Sequence, residues 1–160
     1  MKVVESNPGV IDHFSIQTED GWSHTYLSNG YIEPDGTFVE REYQAAKAKD
    51  DKSASKILAC EKPFGPGGAK RLGREVELRS DWDEVKFQIM MRLVMTKFLD
   101  HPELAKQLLA TGDALLIEGN SWHDNIWGNC RCGRPECSEP GLNWLGYILM
   151  AVRESLRRRR

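Results

Sequence analysis

Carboxylates, amides, an imidazole, thiols and indoles crowd into residues 118–146. The stretch runs from Glu118-Gly119-Asn120-Ser121-Trp122-His123-Asp124-Asn125-Ile126-Trp127-Gly128, through three cysteines, to Gly141-Leu142-Asn143-Trp144-Leu145-Gly146. So polar and aromatic a segment makes a poor core and reads as an irregular loop that clamps a ligand. Asp124 lies between His123 and Trp127 within it. A loop aspartate is commonly a turn former. Joined by a second carboxylate, it could also do acid/base or nucleophilic work on a glycosidic bond. The candidate for that second group is Glu40. Thr37-Phe38-Val39-Glu40 fits a capping box, with Glu40 reaching back to the amide of Thr37. The same position has a chemical meaning, because a first-turn carboxylate sits at the positive end of the helix dipole, where ionisation is favoured. Such a group suits a base, or the negative neighbour of an oxocarbenium-like centre, better than an acid.

Lys70, Arg71 and Arg74 follow the break Lys62-Pro63-Phe64-Gly65-Pro66-Gly67-Gly68 and open a helix. They read either as a solvated basic face or as an anion site made of cations and helix N-terminal amides. Their spacing matches neither the phosphate-loop nor the dinucleotide fingerprint. Trp82, Trp122, Trp127 and Trp144 could stack a planar ring. Trp82 lies in a helical segment and reads as core, which leaves Trp127 as the better stacking candidate. Cys130, Cys132 and Cys137 form C-x-C-x4-C, with His123 seven residues before the first. A Cys3His set at short spacing is one that structural zinc uses. The spacing departs from C-x-x-C, so free structural cysteines stay open as the alternative. Cys60 reads as a small buried apolar residue.

The elements that must position these groups follow from periodicity. At 160 residues the chain suits one domain with a real core, with no repeat and no linker that splits it. Hydrophobic content of 40%, charged content of 29% and a net charge of −2 give no general nucleic-acid field. No apolar run approaches the ~18 residues of a membrane span. Met1 to Pro8 lacks an apolar signal core, so a cytoplasmic location with reduced or metal-bound cysteines is expected. Residues 10–39 read as strand-like and turn-rich, with one or two short antiparallel hairpins. Helices are expected from Thr37 to about Asp50, from Lys52 to Ala59, from Ala69 to Val76, from Asp81 to Leu99, and from Pro102 to a stop at Thr111-Gly112. The 81–99 helix is apolar nearly all round, as a buried central helix is. The last helix, Asn143 to Leu156, carries Leu145, Ile148, Leu149, Val152 and Leu156 as a core-facing stripe. The run from Arg157 to Arg160 is either a solvated tail that complements the end of this helix or a contact to nucleic acid.

Taken in order, several blocks resemble the NADAR family, also called YbiA-like proteins. They are Leu27-Ser28-Asn29, Glu40-Arg41-Glu42-Tyr43-Gln44-Ala45-Ala46-Lys47, Ala69-Lys70-Arg71-Leu72-Gly73-Arg74, and Trp82-Asp83-Glu84-Val85-Lys86 with Met90. They continue with Lys97-Phe98, Leu109-Ala110-Thr111-Gly112, Ile117-Glu118, Asp124-Asn125-Ile126-Trp127-Gly128, Asn143-Trp144-Leu145-Gly146, Leu149-Met150 and Arg153. The resemblance covers about residues 14–156 in collinear order, and residues 157–160 form a basic tail. It implies a mainly α, YbiA-like multihelical single domain over residues 1–160, with a small antiparallel β element near the N-terminus.

It also implies N-glycosidase chemistry on an ADP-ribosyl or ribosyl-phosphate substrate. That means removal of ADP-ribose from guanine bases in DNA or RNA, or cleavage of the ribosylamine bond of early riboflavin-pathway intermediates. A non-catalytic ADP-ribose or nucleotide-binding module is the alternative of another class. The family's essential Glu falls on Glu40 and its loop Asp on Asp124. Substrate-binding positions fall on Ser28, Asn29, Tyr43, Lys47, Trp127, Gly128 and Asn143, with Arg71 and Arg74 for phosphate. Family members often have His after the Glu, where this chain has Arg41 and Glu42, and Gly30 intervenes before Tyr31. The cysteine insertion occurs in some relatives and not in others. No catalytic cofactor is therefore expected, and structural zinc on His123, Cys130, Cys132 and Cys137 is the one metal to test.

Overall fold

Six α-helices and four short strands are formed by residues 9–14 and 24–159, the residues that the structure, a computed structural model, describes. In chain order they are β1 (Val10–Asp12), α1 (Val39–Ala46), α2 (Asp51–Leu58), α3 (Ala69–Leu72), α4 (Trp82–Asp100) and α5 (Pro102–Ala110). Then come β2 (Leu115–Ile117), β3 (Gly119–Asn120), β4 (Asn129–Cys130) and α6 (Trp144–Arg158). Short 3-10 turns lie at Thr25–Leu27 and Pro135–Cys137. The architecture is mainly α, as the sequence indicates. The described residues pack as two compact units, one of residues 29–102 and one of residues 9–14, 24–28 and 103–159.

In the 29–102 unit, α1 packs against α2, α3 and α4. The core beneath it is Phe38, Ala45, Ile57, Cys60 and Ala69, with Ala54, Leu72 and Val76 packed on its edge. Cys60 is thus the interior residue expected. Asp50 starts α2 by accepting the Ser53 amide at 2.8 Å, an N-cap that satisfies one orphan donor. The expected capping box of α1 does not form, because Phe38 is its N-cap residue. Thr37 is engaged one turn earlier, its amide donating to Asp35 Oδ1 at 3.0 Å and its hydroxyl to Glu33 Oε2 at 2.8 Å. α1 also stops at Ala46 and not near Asp50, since Asp50 caps the next helix and Ala48 bridges Leu78. α4 is less enclosed than its composition suggests. Trp82, Ile89, Met90, Val94, Lys97 and Phe98 are buried, whereas Leu99 is exposed.

In the other unit, the buried residues of α6 include Leu145, Ile148, Leu149, Val152 and Leu156, the stripe read from the sequence. α6 packs against β2, whose Leu116 is fully buried. Buried Arg153 donates to Thr111 Oγ1 at 2.7 Å and to the Ala114 carbonyl at 2.9 Å, tying α6 to the turn after α5. Gly112, at φ +60°, provides the left-handed stop of α5. The expected antiparallel pairing near the N-terminus is corrected for the described strand: β1 pairs in parallel with β2, Val10 opposite Leu115. β3 and β4 are likewise parallel. Turn signals reveal local hairpins, whereas a parallel partner lies a crossover away along the chain. The alternation at Phe14 to Gln17 and Trp22 to Leu27 lies largely outside the described residues; Thr25–Leu27 forms a 3-10 turn. α6 extends to Arg158 and absorbs the start of the basic run, with Arg157 paired to Asp113 and Arg158 to Glu154. No helix among the described residues is long and apolar enough to cross a membrane.

Candidate active site

Each unit carries part of the expected residue set. In the 29–102 unit, Glu40 occupies the first turn of α1 and is buried, 7% exposed. Its backbone amide donates to the Asn29 carbonyl at 2.9 Å. Asn29 is itself held by its Nδ2, 3.5 Å from Met90 Sδ. Gln44, one turn further along, donates from Nε2 to Glu40 Oε1 at 2.7 Å. Helical spacing sets Tyr43, Gln44 and Lys47 on the same side of α1 as Glu40. Tyr43 is buried and packs on Trp82, ring centroids 5.0 Å apart, so Trp82 is core as expected. Lys47 ends α1. Burial holds its ammonium below the usual lysine range; Glu40 opposes that shift, and the cations Arg74 and Lys70 add to it. Lys47 therefore couples on one side to a buried carboxylate and on the other to two cations.

Lys70, Arg71 and Arg74 line a cleft of about 460 Å³, together with Phe64, Gly65, Pro66 and Glu75. The amide half of the anion-site reading does not hold. α3 has four residues, and the amides of Ala69 and Lys70 donate to the carbonyls of Lys62 and Pro63 at 2.9 and 3.0 Å. What remains is the cationic side chains and an aromatic wall, with Lys70 Nζ 5.9 Å from the centroid of Phe64.

In the other unit, Ser28 closes the first 3-10 turn, its amide donating to the Thr25 carbonyl at 2.9 Å. Asp124 forms a turn: its Oδ1 accepts the amides of Ile126 and Trp127 at 3.1 and 2.9 Å. Trp127 meets Trp144 edge-on, centroids 5.4 Å apart. Gly128 passes so close to the Glu118 carbonyl that a Cβ there would lie 2.1 Å from its oxygen, so no larger residue fits this path. Asn143 sits in the left-handed region at φ +52°. Its amide braces the start of α6 by accepting the Glu118 amide at 3.0 Å and donating to the Leu116 carbonyl at 2.9 Å. His123, Cys130, Cys132 and Cys137 converge in this unit, their ligand atoms all within 4.8 Å of one another, with all three cysteines free.

The sequence reading passed over several residues that shape these sites. Gln44 is the first. The second is Gly73, where a Cβ would lie 2.0 Å from Gln44 Oε1. Phe64 is the third, an aromatic in a Gly/Pro segment, and its ring packs on Gly30 so closely that a Cβ there would meet it at 2.3 Å. Asn120 is the fourth; it is buried, accepts the amides of Trp122 and Asp124 at 3.3 and 3.2 Å, and donates to the Asp124 carbonyl at 2.7 Å. The available signal was the turn chemistry of asparagine.

Comparison with known proteins bears on what such groups could do. Residues 22–157 match the NADAR domain. An N-glycosidase of Nostoc punctiforme is 46% identical over 121 residues, which cover 74% of this chain and 73% of that protein. A riboflavin biosynthesis protein of Vibrio vulnificus is 39% identical over 142 residues; the match takes in 84% of this chain but 36% of that longer protein. The NMR structure of the Escherichia coli protein YbiA aligns with a TM-score of 0.74 at 32% identity, covering 96% of this chain and 88% of that one.

Proposed function

The chain belongs to the NADAR domain family, and from that membership and the surroundings of Glu40 we propose that it is an N-glycosidase. It hydrolyses the bond between a ribose C1′ and a base nitrogen. The observation that carries the reading is the buried carboxylate of Glu40, aimed by Gln44 and coupled to the Lys47 ammonium, which in turn feels the cations Arg74 and Lys70. As the C–N bond breaks, C1′ gains oxocarbenium character and a fixed negative neighbour stabilises it. Water then adds to C1′ and gives up a proton to the Glu40 carboxylate, and the departing nitrogen takes one up from solvent as Glu40 returns its own to water, so that the base leaves as N–H and Glu40 is regenerated. The neighbouring cations suit a substrate whose ribose carries phosphate.

The substrate we assign is ADP-ribose on guanine bases of DNA or RNA. A cleft with two arginines, a lysine and a half-exposed Phe64 supports a diphosphate next to a stacked ring. Ser28, Asn29, Tyr43, Trp127, Gly128 and Asn143 are proposed to bind or shape the site for the substrate, and Asp124 to orient water or a ribose hydroxyl in addition to its turn. Neither a catalytic metal nor an organic cofactor enters this chemistry.

The test is incubation with guanine-ADP-ribosylated DNA, followed by mass spectrometry, with Glu40→Gln alongside. Release of ADP-ribose by the native protein and not by the folded variant is the expected result. Near-normal turnover by folded Glu40→Gln would overturn the role of Glu40. A second reading, hydrolysis of riboflavin-pathway intermediates, is supported by the name of the Vibrio vulnificus relative. Release of ribose 5-phosphate from those intermediates, without action on the modified DNA, would select it. Tight ADP-ribose binding without hydrolysis of any of these substrates would point to a binding module.

A further inference from the structure

The loop between β3 and α6 brings four metal-ligating side chains together. His123 follows β3, Cys130 lies in β4, Cys132 is two residues on, and Cys137 ends the 3-10 turn Pro135–Cys137. We propose that these four side chains bind one zinc ion in a closed Cys3His site, and that this ion fixes the loop bearing Asp124 and Trp127.

Two of the donor separations are those of a tetrahedral site. Cys132 Sγ and Cys137 Sγ lie 3.4 and 3.5 Å from His123 Nδ1. Zinc bonds of about 2.3 Å to sulfur and about 2.0 Å to nitrogen, at tetrahedral angles, put sulfur and nitrogen about 3.5 Å apart. All four donor atoms fall within 4.8 Å of one another, so Cys130 Sγ completes the set. Two N–H groups also reach the sulfurs. The His123 amide donates to Cys130 Sγ at 3.3 Å and Asn125 Nδ2 to Cys137 Sγ at 3.3 Å, outer contacts of the kind that orient metal ligands. Asn125 Oδ1 also accepts the Cys130 amide at 2.9 Å, which links two ligands through one side chain.

His123 adopts φ +68°, a left-handed conformation costly for a residue with a Cβ. Asn120 holds the turn on either side of it by accepting the amides of Trp122 and Asp124. A strained histidine that points its ring at three thiols is explained by a ligand common to all four.

Three thiolates and an imidazole are soft donors that suit zinc. Binding displaces one proton from each thiol and none from neutral histidine, leaving a site of net charge −1. Four protein ligands fill the coordination sphere, which leaves no position for water or substrate, so the ion is structural. Its consequence is local: His123 precedes Asp124, and Cys137 begins the stretch that leads to Asn143.

The test is metal content of the full chain, expressed with zinc in the medium and measured by elemental mass spectrometry after desalting. About one zinc per chain is expected. Exchange with cobalt(II) should give the thiolate-to-cobalt charge-transfer and tetrahedral d–d absorption bands. Cys132→Ser and His123→Ala should each lower zinc occupancy and cobalt absorption several-fold. Stripping zinc from the native protein should lower Tm, and adding it back should restore it. Folded native protein with below about a tenth of a zinc per chain and no cobalt bands would overturn the proposal. So would a disulfide among the three cysteines after rapid alkylation, or iron in place of zinc.

Discussion

At the scale of single residues, the proposed chemistry centres on the pair Glu40 and Gln44. Gln44 is buried, its Nε2 faces Glu40, and its Oε1 has no hydrogen-bond partner among the described residues. An unpartnered buried acceptor costs on the order of 1–3 kcal/mol. Reversing the amide would set that oxygen against the carboxylate, so ionised Glu40 fixes which way Gln44 points. The arrangement sacrifices one acceptor to aim the other end of the amide. Gln44→Met removes the donor and keeps the volume. We expect kcat to fall by about tenfold or more with KM nearly unchanged, while thermal stability holds or falls slightly, because relief of the unpartnered Oε1 is offset by the hydrogen bond lost at Glu40. Steady-state kinetics on whichever N-glycoside proves to be the substrate reads this split. An unchanged kcat would reduce Gln44 to packing. Glu40 itself was legible from its place in the first turn of a helix. Gln44 was not, because its role depends on which way a terminal amide points.

At the scale of elements, the two sites rest on unusual backbone contacts. Gly73, at the end of α3, lies against Gln44, and a Cβ there would meet Gln44 Oε1 at 2.0 Å and Cβ at 2.9 Å. Its φ of −66° is open to any residue, so Gly73→Ala acts through space alone. Overpacking of this kind costs roughly 1–3 kcal/mol and would push Gln44 off Glu40. The variant should therefore lose activity in parallel with Gln44→Met, and a fully active Gly73→Ala protein would contradict that coupling. Asn143 tests the other unit. Asn143→Ala removes two hydrogen bonds and places alanine in a left-handed conformation, an expected loss on the order of 2–4 kcal/mol in urea denaturation. Asn143→Gly should recover only the backbone share, about 1 kcal/mol. The core stripe of α6 and the limits of α2 and α4 were legible, since periodicity and caps are local. The parallel pairing of β1 with β2, the early end of α1 and the brief α3 were not. Each depends on a partner outside its own segment: β2 for β1, the Ala48–Leu78 bridge for α1, and for α3 the close approach of its C-cap Gly73 to Gln44. The loop from Glu118 to Asn143 was recognised as special for its polar residues. Many of those amides hold the loop to itself, as Asn120, Asn125 and Asn143 do.

At the scale of the whole molecule, two buried titratable groups set how stability responds to alkali. Lys97 is 3% exposed, with its ammonium 5.2 Å from the Tyr31 ring centroid. Burial pulls its pKa down to about 8, against the opposing pull of Glu33; Glu33 in turn meets His101 at 3.1 Å and Thr37 at 2.8 Å. Tyr26, buried in the other unit, is pushed up to about 12 by burial, with Arg153 acting the other way. The signs are opposite. Between about pH 8 and the ordinary lysine value, the unfolded chain binds a proton that native Lys97 has released, so stability rises with pH. Above about pH 10, unfolded Tyr26 ionises while the native phenol keeps its proton, so stability falls. The contribution of Lys97 should grow by on the order of 1–2 kcal/mol between pH 8 and 9.5, before tyrosine ionisation intervenes. Urea denaturation of the native protein and of Lys97→Met across that interval separates this contribution from every other titration, because only the lysine differs. The native curve should gain on the variant as pH rises. Two parallel curves would mean that Lys97 keeps an ordinary pKa, and that the charge on α4 is balanced more fully than Glu33 alone provides.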